Sequence, residues 1–507
     1  MAAQPRHSAA PPSKPVERWL IFVFLFAALT HGTWAFVHPD PGAATPQSSV
    51  DANDGDDAAA PPAEPRAVRG RSPDEREYVE LAISLAEQGE LRLPTGDVAK
   101  RAPLYPAMLS LIYQTQPRDY WHNAIILLQA FLAWCNTIGI AYIAFKLRNS
   151  TAGVLAGIIS ALYAPFLYLE TLYLTETLVI SLFISSILIH IFVVLAEGSA
   201  MRRTAGMAGV SILVGLMALA RADAVLLIIP FALHATFSTS RRHERAARIA
   251  AALVPVVLIA GAWCWRNQNE IGRFTLSTTA GLNLHLGNNP DYAKNPGLAH
   301  ADYAAFDRLR AEGLSEVEAD RRLFEMGRRF IFEHTGESAM NGLRKIRVWF
   351  TPTIESFGPL LLVIAGGFIC ISAWRDPRRR GEGPNRNVER WLATAALALA
   401  AAAYVVHVAT STRILPFVSP THVLALGLPS LVLMRSRPPV RGLFIGIFLT
   451  QMAVAVTFIP ISRLRWTMDA LLIIALAVAV SRVCTRLNPG APGFQSGSPT
   501  PPSQGNA

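Results

Sequence analysis

The chain has 507 residues and a formal net charge of +10 at pH 7, with 51% hydrophobic and only 16% charged residues. Ordinary globular chains carry about 25% charged residues, so this composition excludes a disordered or nucleic-acid-binding protein. The basic residues stand in short clusters between apolar runs, a pattern typical of membrane orientation. The four cysteines are far apart in sequence, so we expect neither a disulfide framework nor a zinc site.

Long apolar runs predict an all-α polytopic membrane protein, because a spanning helix needs about 20 mostly apolar residues. The twelve predicted spans are 18–37, 123–145, 151–169, 173–196, 205–220, 222–238, 246–265, 357–374, 391–410, 414–434, 441–460 and 465–483. Lysines and arginines fall in alternate connections, which predicts that both termini are cytoplasmic. Arg463 and Arg465, before the last span, are exceptions. The first run is predicted to be a membrane anchor, since it is long and no clear small-residue cleavage site follows it.

Two long segments outside the membrane organise the rest of the chain. The predicted order is a cytoplasmic tail at 1–17, the first span, an outer segment at 38–122, spans at 123–265, a second outer segment at 266–356, spans at 357–486 and a disordered tail at 487–507. The Ala/Pro/Asp-rich stretch 40–70 is predicted to be disordered. Tyr78, Leu81, Ala82 and Leu85 have helical spacing, and a charged helix is predicted near 315–347. Such outer segments can build a site where a lipid-borne reactant meets a second reactant.

Carboxylates stand at two predicted helix ends beside the membrane. Ser72-Pro73-Asp74-Glu75 opens a helix, where capping alone explains the residues. The alternative is a carboxylate pair that accepts the proton of an attacking hydroxyl. Glu176 falls inside an apolar run, and an ionisable group at membrane depth indicates a functional site. A water-facing interfacial carboxylate is the other interpretation, and we expect Glu170 to be the solvated one of the two.

Five arginines are predicted on the outer side, against the positive-inside bias. They are Arg101, Arg221, Arg266, Arg347 and Arg413. Snorkelling to the interface explains any one of them. Several together indicate an anion such as a lipid phosphate, because the guanidinium group pairs with phosphate oxygens through two bonds. No P-loop lysine follows the glycine-rich turn at 281–290, so no nucleotide site is predicted there.

The order and outer placement of these motifs resemble the multispanning, lipid-dependent glycosyltransferases of the GT-C fold. The most similar groups are the protein O-mannosyltransferase-like and aminoarabinose-transferase-like enzymes of glycosyltransferase family 39 and its relatives. The resemblance covers roughly residues 15–485. It is carried by Pro73-Asp74-Glu75 with Tyr78, Arg101 with Pro103, Tyr173-Leu174-Thr175-Glu176, Trp265-Arg266-Asn267 with Gly272-Arg273-Phe274, Gly287-Asn288-Asn289-Pro290 and Arg413-Ile414-Leu415-Pro416.

The resemblance implies an inverting transfer of a hexose or pentose from a polyprenyl-phosphate carrier to a lipid, glycan or protein acceptor. The enzyme would lie in a bacterial inner membrane with a periplasmic active site. Asp74, Glu75 and Glu176 would be the catalytic carboxylates. The substrate contacts would be Tyr78, Arg101, Arg221, Arg266, Asn267 and Arg413. No nucleotide or other cofactor is implied, and a divalent ion held by Asp74 and Glu176 is left open.

The sugar and the acceptor stay open, because the sequence departs from the family pattern at three positions. Glu77 stands where aminoarabinose transferases carry an arginine, one residue separates Arg101 from Pro103, and the second acidic position is Glu176 rather than aspartate. Two other function classes also stay open. One is a transporter or flippase of lipid-linked glycans, which usually has repeat symmetry. The other is a non-catalytic partner that binds lipid-linked glycan.

Overall fold

The computed structural model describes residues 18–37, 72–239, 241–294, 304–350, 418, 420–434, 438–460 and 465–487. The stretch 40–70, the predicted spans 357–374 and 391–410, Arg413 and both terminal tails lie outside the described residues. Within those ranges the chain is helical and contains no strand beyond one isolated bridge between Tyr163 and Val418.

The described residues form eighteen α-helices, numbered here in chain order. They are α1 (Arg18–Val37), α2 (Pro73–Gln88), α3 (Leu104–Thr115), α4 (Trp121–Leu147), α5 (Ser150–Ala161), α6 (Ala164–Glu170), α7 (Glu176–Ile189), α8 (Ala200–Ala220), α9 (Ile228–Phe237), α10 (Arg242–Ile271), α11 (Ala280–Gly287), α12 (Pro290–Lys294), α13 (Ala305–Ala311), α14 (Glu316–Glu333), α15 (Thr335–Phe350), α16 (Pro420–Leu433), α17 (Pro438–Thr457) and α18 (Trp466–Leu487). Two 3-10 turns, Arg118–Tyr120 and Ala222–Leu227, precede α4 and α9, and a π-helical turn, His190–Val194, extends α7.

Six helices of the described ranges are long and apolar enough to cross a membrane. They are Arg118–Leu147, Glu176–Val194, Ala200–Ala220, Arg242–Ile271, Pro439–Thr457 and Trp466–Thr485. Trp19–Ala35, Ser150–Ala161 and Ala222–Phe237 are shorter apolar helices. The predicted class, an all-helical polytopic membrane protein, is confirmed. The total of twelve spans stays a prediction, because two of them lie outside the described residues.

One predicted span, 151–169, is broken into α5 and α6. Pro165 stands in the first turn of α6, where its missing N–H removes no helical hydrogen bond and its fixed φ suits a helix start. The backbone groups at the break are paired with another chain segment: Ala164 N donates to the Val418 carbonyl and Val418 N donates to the Leu162 carbonyl, each at 2.9 Å. The break therefore leaves no backbone group unsatisfied in an apolar bundle.

Helix α2 is amphipathic and begins at a full capping box. The Ser72 hydroxyl and backbone N–H both contact the Glu75 carboxylate, at 2.7 and 3.1 Å, and the Ser72 hydroxyl accepts from the Glu75 backbone N–H. Gly89 ends the helix with a φ of 75°, a left-handed conformation that glycine adopts without strain. The buried face carries Tyr78, Val79 and neighbouring apolar side chains against the core. The cap thus fixes Asp74 in the first turn.

The second long segment folds into α11–α15 and contacts the loop before α3. The charged helix predicted near 315–347 is two helices, α14 and α15, which meet at His334. The Glu316 carboxylate accepts hydrogen bonds from the backbone N–H groups of Val98 and Ala99, at 3.1 and 3.3 Å, and from the Thr278 hydroxyl at 3.0 Å. These bonds tie the two segments together.

Arg465, one of the two exceptions to the charge pattern, is a buried structural residue. Its Nε donates to both carboxylate oxygens of Asp469, at 3.2 and 3.3 Å, and its Nη1 donates to the Trp349 carbonyl. The Tyr163 hydroxyl donates to the same carboxylate at 2.5 Å. Because this charge is paired inside the bundle, it says nothing about which side of the membrane the preceding loop lies on. Arg463 lies outside the described residues.

Close backbone packing at Gly281 gives a prediction about stability. A Cβ atom at this position would stand 1.9 Å from the Asp320 carbonyl oxygen, and backbone cannot move aside as a flexible side chain does. We expect Gly281→Ala to lower the free energy of unfolding by about 1–3 kcal/mol, the usual effect of overpacking. Thermal unfolding of the purified protein in detergent, followed by tryptophan fluorescence, measures this change.

The matched control is Gly336→Ala in α15, where no atom lies within 4 Å of the added Cβ. That variant should unfold at or slightly above the wild-type temperature, since alanine is the better helix former. Equal unfolding temperatures for the two variants would contradict the packing described here.

Candidate active site

Asp74 is held at the start of α2 by an ion pair with Arg101. The Arg101 Nη2 group donates to Asp74 Oδ1 at 2.6 Å, and Arg101 Nε donates to Glu77 Oε2 at 2.5 Å. Asp74 and Glu77 are three residues apart, so both face the same side of the helix. The Asp74 side chain is 31% exposed and therefore reachable by a substrate. The N-terminal helix dipole favours its charged form.

Lys100 extends this arrangement toward α13. Its Nζ contacts Glu77 Oε1 at 2.9 Å and Asp307 Oδ1 at 3.2 Å. Burial acts to lower the pKa of Lys100, but the carboxylates of Glu77 and Asp307 together outweigh it and the pKa is raised. For Arg101 burial also acts downward, and Glu77 and Asp74 raise its pKa well above the ordinary value. Both cations therefore stay charged near neutral pH.

A second ion pair forms between Glu176 and Arg221. Glu176 begins α7 and is buried, and its Oε1 accepts from Arg221 Nη1 at 2.8 Å. Arg221 directly follows α8, and its Nε donates to Asp223 Oδ1 at 3.3 Å. Two carboxylates thus hold this arginine, as two hold Arg101. Pairing of this kind explains how an arginine is kept at a helix end where the charge pattern does not favour one.

Tyr78 packs against Arg101 and lies within electrostatic range of Glu176 and Arg221. Its ring centroid is 5.4 Å from the guanidinium carbon of Arg101 and 5.3 Å from the ring of Tyr105, edge to face. Burial raises the pKa of the Tyr78 hydroxyl; the charge of Arg101 acts to lower it, and the charges of Asp74 and Glu176 add to the rise. One phenol therefore experiences the fields of both pairs. The structure brings together five of the predicted site residues: Asp74, Tyr78, Arg101, Glu176 and Arg221.

A small open pocket, about 40 Å³ in volume, lies against the Glu176–Arg221 pair. Its lining residues are Glu176, Val179, Ile180, Arg221, Asp223, Ala224, Leu226, Leu227, Thr450, Gln451, Val454, Trp466 and Thr467. The pocket therefore lies between α7, the turn after α8 and the last two helices, α17 and α18. An apolar cavity with a few placed polar groups is the usual form of a small-molecule site.

Glu75 joins α2 to the turn before Glu176. One oxygen of its carboxylate accepts the Ser72 bonds of the capping box, and the other, Oε1, accepts from the Tyr173 backbone N–H at 3.0 Å. The side chain is buried. These contacts fix the position of α2, which carries Asp74, relative to the turn that precedes Glu176. A catalytic role for Glu75 stays a prediction.

Arg266 and Asn267 lie at the base of the loop that carries Arg101, and not around Tyr78. Arg266 Nη1 donates to the Val98 carbonyl at 2.9 Å and to Asn267 Oδ1 at 3.0 Å, and its guanidinium lies 4.8 Å from the Trp263 ring centroid. Asn267 Nδ2 donates to the Thr275 carbonyl at 2.8 Å. Their substrate-binding roles stay predictions, as does that of Arg413, which lies outside the described residues.

The expectation that Glu170 faces water is wrong. Its side chain is fully buried, and its Oε1 lies 2.6 Å from His31 Nδ1. The other nitrogen of His31 lies 3.0 Å from the Thr137 hydroxyl. Because the break between α5 and α6 turns the end of α6 inward, Glu170 contacts α1 rather than solvent. The hydropathy of the sequence does not predict this turn.

Several residues of the site were not singled out from the sequence. Glu77 and Lys100 were recognisable in principle, since one lies three residues from Asp74 on a helix and the other is next to Arg101. Asp223 is two residues from Arg221. Gln451 and Trp466 had no such signal, because they come from spans that lie far along the chain from every motif.

No group of three or more histidine, cysteine, aspartate or glutamate side chains that could hold a metal ion occurs in the described part of the chain. Asp74 and Glu176 are each paired with an arginine, so the residues described there do not fit a metal site. Of the cysteines, Cys135, Cys264 and Cys484 are free thiols. Cys370 lies outside the described residues.

Comparison with known proteins finds similarity to solved structures alone, since no family model and no curated protein matches the sequence. The oligosaccharyltransferase AglB of Archaeoglobus fulgidus, solved with an inhibitory peptide and a dolichol-phosphate, matches with 13% identity and a TM-score of 0.48, over 94% of this chain and 51% of that chain. The same organism's oligosaccharyltransferase with Zn and sulfate matches with 13% identity and a TM-score of 0.46, over 92% and 49%. ArnT of Cupriavidus metallidurans, bound to undecaprenyl phosphate, matches with 12% identity and a TM-score of 0.37, over 93% and 78%.

The chain spans about half the length of the archaeal oligosaccharyltransferases that it matches. With identities near 13% and TM-scores below 0.5, these likenesses carry no argument about the reaction. The chain is an all-helical membrane protein that resembles the GT-C fold glycosyltransferases, the family that its motifs predict.

Proposed function

We propose that this protein transfers a hexose or pentose from a polyprenyl-phosphate carrier to an acceptor on the periplasmic face of a bacterial inner membrane. The acceptor is a lipid, a glycan or a protein. The observation that carries the proposal is that the protein holds a reachable carboxylate, Asp74, paired with Arg101, and a second ion pair, Glu176–Arg221, that lines a pocket. A carboxylate and arginine side chains are the groups that displacement of a lipid phosphate by a hydroxyl requires.

Asp74 acts as the general base. Its carboxylate accepts the proton of the acceptor hydroxyl while that oxygen forms a bond to C1 of the sugar. The bond between C1 and the phosphate oxygen breaks, and its electron pair leaves with the polyprenyl phosphate. Attack opposite the departing phosphate inverts the configuration at C1. Arg101 orients the Asp74 carboxylate, and the Tyr78 ring packs beneath this pair.

Arg221 stabilises the departing phosphate. A planar guanidinium with two N–H groups on one edge matches two phosphate oxygens, and a cation already in place lowers the barrier as negative charge develops. Glu176 and Asp223 hold Arg221 at the pocket wall. Arg266 supports the site through the Val98 carbonyl. Arg413 is proposed as a further phosphate contact from the family resemblance.

The assignment of Asp74 predicts a large loss of transfer in Asp74→Asn. The amide keeps the size of the side chain but does not accept a proton, and a general base contributes about 10²–10⁴-fold to a rate. We expect the initial rate of label transfer from radiolabelled polyprenyl-phosphate sugars in membranes to fall by at least about 100-fold. Membrane levels of the protein should stay normal.

Glu77→Gln is the matched control, because Glu77 holds the same Arg101 from the same face of α2. Removing one of two carboxylates from Arg101 without removing the base should reduce transfer by less than about 10-fold, the effect of roughly 1 kcal/mol. An equal loss in both variants would show that Asp74 acts only by positioning Arg101. Full activity in Asp74→Asn would refute its role altogether.

The role of Arg221 predicts that Arg221→Gln lowers the rate of transfer about 10²–10³-fold, the usual effect of removing one preorganised group that stabilises transition-state charge. Arg221→Lys should recover part of the rate, since it restores the charge without the planar fork. Arg118→Gln is the control: this arginine is 80% exposed and pairs with Glu87 at 3.4 Å. The same label-transfer assay measures all three, and an equal response of Arg118→Gln and Arg221→Gln would contradict a specific role.

A further inference from the structure

The end of the helix bundle away from the candidate active site carries a cluster of arginines that the proposed mechanism does not use. Helix α8 ends next to Arg221, and Arg203 in its first turn lies about 27 Å away along the helix. Helix α10 packs beside α8 and begins at the same end, where Arg203 Nη2 lies 3.8 Å from Glu244 Oε2. The charge pattern predicts that this end is cytoplasmic.

The arginine cluster consists of four side chains around one carboxylate, that of Glu244: Arg203, Arg241, Arg245 and Arg248. Arg241 Nη1 donates to Glu244 Oε1 at 3.3 Å, and Arg248 Nη2 lies 3.5 Å from Oε2. Arg245 Nε donates to the Thr239 carbonyl at 2.8 Å, and the Thr239 hydroxyl donates to Glu244 Oε2 at 2.9 Å. Glu244 is the only carboxylate paired with these arginines in the described part of the chain, so most of their charge is unmatched.

The positive-inside rule accounts for the number of basic residues at this end but not for their convergence. Guanidinium groups that gather at one carboxylate repel each other, and the positive N-terminal ends of α8 and α10 add to this repulsion. The side chains of Arg248 and Arg203 are only 2% and 28% exposed, so water screens them incompletely. Arg241 is 72% exposed and reachable by a ligand. Such an arrangement favours an anion, and arginine pairs with phosphate oxygens through two bonds.

The apolar surface next to the cluster indicates a lipid. Arg245, Ile249, Leu253 and Val257 follow one another at four-residue spacing, so they form one stripe along α10. The last three are exposed in the described part of the chain, at 41%, 44% and 61%. Phe237, the last residue of α9, is 78% exposed. A phospholipid presents a phosphate at the membrane surface and an acyl chain below it, which matches an arginine above an apolar stripe.

We propose that the arginine cluster binds the head group of one anionic phospholipid of the cytoplasmic leaflet. Its phosphate diester accepts hydrogen bonds from Arg203 and Arg241, which come from two helices and contact different oxygens of Glu244. One acyl chain lies along the stripe below Arg245. A lipid with net negative charge is favoured, since the ammonium group of a zwitterionic head group would meet the unmatched guanidinium groups. The bound lipid joins α8 to α10, whichever reaction the protein catalyses.

A lipid-binding measurement tests the site. The full-length protein in detergent is titrated with dioleoyl phosphatidylglycerol and with dioleoyl phosphatidylcholine, and native mass spectrometry gives the Kd of the first bound lipid. Wild type should bind phosphatidylglycerol about tenfold or more tightly than phosphatidylcholine. Arg203→Gln and Arg241→Gln should each reduce this preference at least about fivefold, because each removes a guanidinium group from the phosphate.

Arg242→Gln is the matched control, since it removes the same charge from the same helix end. Arg242 is exposed, and in the described part of the chain it has no ion pair with Glu244. Its preference should stay within about twofold of wild type, because a single head group does not depend on every charge at the surface. In thermal unfolding, phosphatidylglycerol should raise the unfolding temperature of wild type and Arg242→Gln more than that of Arg203→Gln.

Three results would overturn the proposal. Equal affinity of wild type for the two lipids would remove the site, and equal losses in Arg242→Gln and Arg203→Gln would reduce it to diffuse surface charge. Displacement of the lipid by sn-glycerol 3-phosphate at about the same concentration would assign the arginines to a soluble phosphate. Loss of the preference in Arg221→Gln, with Arg203→Gln unaffected, would place the lipid at the other end of the bundle.

Discussion

A guanidinium group taken out of bulk water must be paired, and much of this site follows from how Arg101 is paired. Removing one partner of an ion pair leaves the other charge uncompensated. Asp74 and Glu77 meet this need from one face of α2, and the Tyr78 ring lies against the same cation. The position of Asp74, the start of α2 and the path of the loop before α3 are therefore fixed together.

Glu176 and Arg221 form a second arginine–carboxylate pair, with residues from the ends of two other helices. Each cation is held by carboxylates, so any anion that contacts Arg101 or Arg221 competes with these partners.

Local features of this protein were readable from the sequence, and pairings over long distances were not. Residues 72–75 predict a helix cap because capping depends on four neighbouring residues, and apolar runs predict spans because length and composition suffice. Glu176 and Arg221 were each singled out, but nothing in the chain between them indicates that they meet. Glu170 was assigned to water because a break within a span is decided by tertiary contacts. The polar side chains that line the pocket were not predicted, for the same reason.

The carboxylate of Glu316 receives two backbone N–H groups of the loop before α3 and one hydroxyl from the second long segment, and the Ala99 carbonyl accepts from Thr278 N at 3.0 Å in return. The segment that starts at α11 is thus hydrogen-bonded to the loop that carries Lys100 and Arg101. It cannot be exchanged between related chains as an independent unit. A chimera that replaces this segment must keep a carboxylate at position 316, or it loses the bonds to the loop that carries Lys100 and Arg101.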